Sequence, residues 1–239
     1  MIKYKDIDTL TEVKKGETGT GLLIERDGHV IGNEDLVKQI REDIAHNHEF
    51  VIPDRFTVNA VFQKYGIKNA NGRVYPESVL KREVEKYINE RVNTRSAIGA
   101  LDHPSSTTLS GHDVSHVITE LHWVGRTLVG TMDLHLSPGY RKYGICSTSG
   151  DLVANMILDG IQIGVSSRAV GSVEERLGVL EVGEDLELVS WDVVIENSTP
   201  GAKIAMNMKD LEQFIESDTS NNGKELVIEK IKRINQILL

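Results

Sequence analysis

A single cysteine, Cys146, is the whole thiol content of this 239-residue chain, so no internal disulfide can form. That fits a reducing compartment and excludes the disulfide-stapled secreted class. Basic residues are in deficit: 27 lysines and arginines stand against 36 aspartates and glutamates, for a net charge of −9. Phosphate backbones are held by basic surfaces, so this balance excludes nucleic acid as the expected partner and favours a basic protein. No apolar run approaches the roughly 20 residues that span a bilayer. The opening residues, MIKYKDIDTLTEVKKGETG, lack the apolar core of a secretion signal. The expectation is a cytoplasmic chain without membrane contact. Internal repeats and low-complexity tracts are also missing. What is present is 39% hydrophobic and 26% charged residues, enough to fill a core without a metal or disulfide staple.

Residues 1–48 read as a prefix, with a helical pattern over 32–47 on Leu36, Ile40 and Ile44 behind an Asn33 cap. FVIPDRFTVNAVFQKYG (50–66) is a strand interrupted at Pro53, NANGR (69–73) a tight turn, and 76–92 a helix opened by Pro76. Residues 115–136 alternate around Gly125–Arg126 and read as a hairpin. A short helix over 149–160 ends at Gly160, two strands lie within 177–197, and helices are expected over 201–217 and 224–239. The sum is an α+β chain.

In IQIGVSSRAVGSV (161–173), strand alternation puts Ile161, Ile163, Val165, Ser167 and Ala169 on a core face. Gln162, Gly164, Ser166 and Arg168 then share the other face. A nucleophile must be reachable, so Ser166 is the candidate, with Gly164 leaving room beside it. A serine needs a base, and His103 in GALDHPSS is held extended by Pro104. An aspartate within the apolar strand LELVSWDVVIEN is costly unless paired or functional, which makes Asp192 the candidate to orient the base.

Four segments in order resemble the phage prohead maturation proteases, the head-core proteases related to herpesvirus assemblin: AVFQKYGIKNANGRVYPESVLKREVEKYI (60–88), GALDHPSS (99–106) with VSHVITELHW (114–123), GVSSRAVGSV (164–173) and WDVVIENSTPGA (191–202). The resemblance spans about residues 50–202 and implies an assemblin-like closed antiparallel β-barrel flanked by helices. It implies a serine endopeptidase with no cofactor, its histidine in a DH context falling on His103 and its serine in an SS context on Ser166. Assemblin-like enzymes use a second histidine as third member. None follows His135 here, whereas Asp192 lies 26 residues after Ser166; Glu187 and Glu196 are the fallbacks. Backbone N–H groups near Ser167 and Arg168, or the Arg168 side chain, are expected to serve the oxyanion, and His116 to line the site.

The implied substrates are phage scaffold, core and major capsid proteins and the chain itself, inside the assembling prohead in the host cytoplasm. A homo-oligomer is compatible, since assemblin relatives couple activity to dimerisation. Some members cleave after glutamate with an aliphatic residue two positions earlier; LTEV (10–13) has that form, which points to self-cleavage after Glu12 in a flexible prefix. The expected organisation is a prefix (1–48), a protease domain (49–203) and a helical tail (204–239). Two other classes stay open. One is a catalytically silent component of the prohead scaffold. The other is a metal-dependent hydrolase using His112 and His116, although the strand-like pattern there and the lack of a third ligand disfavour a metal site.

Overall fold

The computed structural model describes residues 11–31, 34–47, 52, 54–104 and 107–195. Glu196 and the helices expected over 201–217 and 224–239 lie outside the described residues. Among the described residues no helix is long and apolar enough to cross a membrane.

The chain is α+β. Among the described residues nine strands form one sheet: β1 (Gly19–Ile31), β2 (Thr57–Lys64), β3 (Arg73–Val74), β4 (Ile98–Ala100), β5 (Val114–Val124), β6 (Thr127–Leu134), β7 (Gly164–Arg176), β8 (Val179–Val182) and β9 (Glu187–Val194). The pairing path is β3-β8-β7-β1-β2-β6-β5-β4, with β9 added to β7 beside β8. The helices are α1 (Glu34–Asn47), α2 (Glu77–Tyr87), α3 (Pro138–Tyr143) and α4 (Ser149–Leu158), and α2 runs on into a π-helical turn over Ile88–Val92. Trp191 anchors the core, with Phe62 and Tyr87 edge-on at ring-centroid distances of 5.5 and 5.1 Å.

Sequence signals explain most boundaries. The β5–β6 hairpin turns on Gly125–Arg126, where Gly125 has φ 57°. Asn69 Oδ1 accepts the Asn71 and Arg73 amides and closes the NANGR turn. In α4 the Thr148 hydroxyl and the Asp151 carboxylate form a reciprocal cap.

Two expectations need correction. Residues 19–31 are not prefix: β1 lies inside the sheet, paired with β7 from Gly19 to His29 and with β2 from His29 to Ile31. The charged residues of this stretch mask a strand whose Leu22, Leu23 and Ile24 are buried. The closed barrel is not realised as a continuous ladder either, because the path ends at β3 and β4. Beyond β4 a single parallel bridge joins Leu101 to Val193, with the Asp102 N–H on the Val193 carbonyl at 2.7 Å. The physical reason is the shortness of β4: the chain leaves the strand at once through Asp102, whose φ is 61°.

Candidate active site

Ser166 sits on β7, hydrogen-bonded along both edges, directly across from Asp192 on β9. On the β1 edge Glu25 is in register with Ser167 and Gly28 with Val165, so Arg26 and Asp27 form a two-against-one bulge opposite Ser166. A bulge frees backbone groups and re-aims them. Here the Glu25 carbonyl lies 2.8 Å from the Ser166 hydroxyl, as a second acceptor for the one proton that His103 Nε2 also faces.

His103 reaches the same hydroxyl from the far end of the pairing path. Aspartate is among the few non-glycine residues that adopt φ > 0 readily. Asp102 uses that conformation to turn the chain out of the Leu101–Val193 bridge, and Pro104 keeps His103 extended. The imidazole then spans two strands: Nε2 lies 2.6 Å from Ser166 Oγ and Nδ1 lies 3.0 Å from Asp192 Oδ2. A carboxylate facing Nδ1 dictates the Nδ1–H tautomer, which leaves Nε2 free to accept the serine proton.

Asp192 is fully buried and saturated with donors. Oδ1 accepts from the Ala100 amide at 3.0 Å, Ser190 Oγ at 3.1 Å and Arg168 Nη2 at 3.3 Å. Oδ2 accepts from Arg168 Nε at 3.0 Å as well as from His103. Burial alone would raise its pKa; the His103 bond, the Arg168 charge and the Ala100 amide outweigh burial and hold the carboxyl below its ordinary value.

Of the expected oxyanion donors, the Arg168 guanidinium bonds Asp192 and Ser190. Ser167 and Arg168 lie in register with both β1 and β9. Accessibility is corrected. Ser166 is 0% exposed, no more open than Ser167 at 2%. The imidazole alone reaches the surface, at 9% exposure. Beside it is a cleft of about 410 Å³ lined by Arg26, Asp102, His103, Val194 and Ile195. A larger groove, about 850 Å³, runs along α2 and Glu187–Val189 and contains none of Ser166, His103 and Asp192.

The remaining expected residues fall elsewhere. Gly164 is buried at the start of β7, paired with His29 and Val194. Glu187 pairs with Val170 at the other end of β9, away from the Asp192 register position. His116 is buried on β5, with Nδ1 on Ser115 Oγ at 2.9 Å, and burial pushes its pKa down to about 4. It packs beneath β4, where a Cβ on Gly99 would overlap both the His116 ring and the Trp191 carbonyl. His112 is exposed at a turn, so the two histidines do not converge as metal ligands. Glu12 is not in a free segment: it bridges Leu22, and the Val13 N–H donates to the Leu22 carbonyl at 3.1 Å.

One part of the site was missed from sequence. The Glu25 side chain is buried with Arg73, whose Nη1 lies 2.7 Å from Glu25 Oε1. Tyr75 Oη and Asn71 Nδ2 also donate to this carboxylate, and Arg73 Nη2 donates to the Val13 carbonyl. The network fixes the bulge that faces Ser166. The rule that singled out Asp192, an acid within an apolar strand, applies equally to Glu25 in LLIER.

A hydroxyl, an imidazole and a carboxylate in series are the arrangement of the serine hydrolases. The sequence profile of the prohead core protein serine proteases matches residues 19–213, starting at the first residue of β1. The prohead core protein protease of Enterobacteria phage T4 is 31% identical over 165 residues, 68% of this chain and 74% of that protein. The solved bacteriophage T4 capsid assembly protease shares the fold with a TM-score of 0.58 at 24% identity, over 74% of this chain and 98% of that one. The chain belongs to the prohead core protein serine protease family, the proteases of phage capsid assembly.

Proposed function

We propose that the chain is a serine endopeptidase in which Ser166 is the nucleophile, His103 the general base and Asp192 the group that orients the base. The observation that carries this reading is the relay from Ser166 Oγ to His103 Nε2 at 2.6 Å and from His103 Nδ1 to Asp192 Oδ2 at 3.0 Å. As Oγ attacks a peptide carbonyl, its proton passes to Nε2, and Asp192 stabilises the imidazolium that forms. The imidazolium protonates the leaving amine. Water, deprotonated by the same Nε2, then releases the acyl-enzyme.

Its substrates in this reading are the scaffold, core and major capsid proteins of the assembling prohead in the host cytoplasm, and the chain itself. Burial of Ser166 supports reading this form as closed, with the cleft beside His103 as the side from which substrate approaches. The Leu101–Val193 bridge supports a sheet rolled into a barrel at this seam, where Asp102 delivers His103. The protease unit then begins at β1 and, with the family match running to residue 213, the tail begins beyond that residue.

Ser166 burial is also the observation that favours a silent scaffold component. Incubation with a quenched fluorescent peptide carrying LTEV separates the two. Cleavage by the wild type and none by Ser166→Ala supports the enzyme; equal turnover by both, or none by either even after tail removal, rejects it.

A further inference from the structure

Arg168 is a buried cation in the middle of a sheet, a costly placement unless its partners compensate. Its guanidinium grips Asp192 by both oxygens, with Nε on Oδ2 at 3.0 Å and Nη2 on Oδ1 at 3.3 Å. Nη2 also donates to Ser190 Oγ at 3.1 Å, and Ser190 Oγ donates in turn to Asp192 Oδ1 at 3.1 Å. The Ala100 amide supplies a further anchor to Oδ1. Oδ2 is left with one direction open, and His103 Nδ1 occupies it.

We propose that Arg168 is a positioning residue of the proteolytic reaction: it locks the plane of the Asp192 carboxylate and shares its charge, and thereby sets how basic His103 is. The proposal rests on the Ser166–His103–Asp192 reading and deepens it. Two physical consequences follow from one oxygen being shared. The fork leaves Asp192 no freedom to rotate away from Nδ1, so the Nδ1–H tautomer is held before substrate arrives. The guanidinium and any imidazolium formed at His103 bond the same Oδ2, which puts them within like-charge range of each other. Asp192 therefore stabilises the imidazolium less than an unpaired carboxylate would. That suits a base which must give its proton up again to the leaving amine. An arginine holds this place better than a lysine because only a planar fork meets both carboxylate oxygens at once.

The charged and titratable groups around His103 are few among the described residues. Asp192 faces it from β9 and Arg168 lies behind Asp192 on β7. Arg26 from β1 and the adjoining Asp102 line the cleft in front. Tyr87 and His116 lie within electrostatic reach of Asp192; burial raises the Tyr87 pKa and keeps His116 neutral above about pH 4. Among the described residues, Arg168 is the permanent cation bonded to the relay carboxylate.

The test uses the full chain with Ser166→Ala, so that it does not process itself during measurement. The His103 imidazole is titrated by NMR with and without Arg168→Gln. Loss of the guanidinium is expected to raise the His103 midpoint, and an unmoved or lowered midpoint overturns the proposal. Arg168→Lys, with Ser166 intact, keeps the charge and the fold but not the fork. It is expected to lower kcat on the LTEV peptide at least tenfold with KM unchanged, and wild-type kcat in that variant also overturns the proposal. The titration does not require Ser166, so it reads Arg168 separately from the nucleophile: cleavage by Ser166→Ala would sink the catalytic reading and leave the titration standing.

Discussion

Ser166 and Asp192 are direct cross-strand partners on β7 and β9, and His103 bridges them from a loop entered through β4, at the opposite end of the pairing path. The sheet builds two of the three groups on adjacent strands. The third arrives only if the chain turns correctly after Leu101.

Asp102 makes that turn. Asp102→Gly keeps the left-handed conformation and is expected to retain most activity. Asp102→Val forces a β-branched residue to φ > 0, at a cost of about 1–2 kcal/mol. Since misplacement by an ångström is worth about a hundredfold in rate, peptide cleavage by Asp102→Val should fall at least tenfold while Asp102→Gly stays near wild type. Equal activity of the two variants would count against the turn as the positioning device.

His116 predicts how stability responds to acid. Its folded pKa is about 4 against an ordinary value of about 6.5. Between those values the unfolded chain binds a proton that the folded chain does not, so stability falls as the pH drops from 6.5 toward 4 and this loss levels off below. The loss is on the order of 3 kcal/mol. Urea unfolding of His116→Gln across this range should show a flatter slope than the wild type; parallel slopes would contradict the assignment.

Glu25 and Arg73 form a buried ion pair that fixes the bulge facing Ser166. Removing one partner of such a pair costs about 3–5 kcal/mol, because the other charge stays buried alone. Arg73→Met should lose that much by urea denaturation. Glu25→Gln combined with Arg73→Met should recover part of the loss, and additive losses would show that the pair is not coupled.

A chain beginning at residue 49 lacks β1. The β7 edge that carries Ser166 is then unpaired and the Glu25 carbonyl is gone. Such a fragment is expected to aggregate or to show lost strand content by circular dichroism. A chain beginning at residue 11 should fold. A stable 49–203 fragment would contradict the central place of β1.

Much of the site was legible because its signals are local. Asp192 stood out as an acid in an apolar strand, Ser166 by alternation, and His103 by the Pro104 beside it. The neighbourhood was not legible. That Arg168 turns to Asp192 and that β1 presents a carbonyl to Ser166 are facts of strand pairing between segments more than a hundred residues apart for β1 and β7. Alternation likewise gave two faces but not their covering, so Ser166 looked open where both faces of β7 are buried from Gly164 to Gly171. LLIER looks like a strand, but its charged flanks did not show that it lies inside the sheet rather than in a prefix.

The most direct measurement is intact-mass spectrometry of the wild type beside Ser166→Ala, Ser167→Ala and His103→Ala after incubation at neutral pH. With Ser166 as nucleophile and His103 as base, the wild type and Ser167→Ala lose terminal segments while Ser166→Ala and His103→Ala stay whole. Trimming that persists in Ser166→Ala, or stops only in Ser167→Ala, would contradict the assignment.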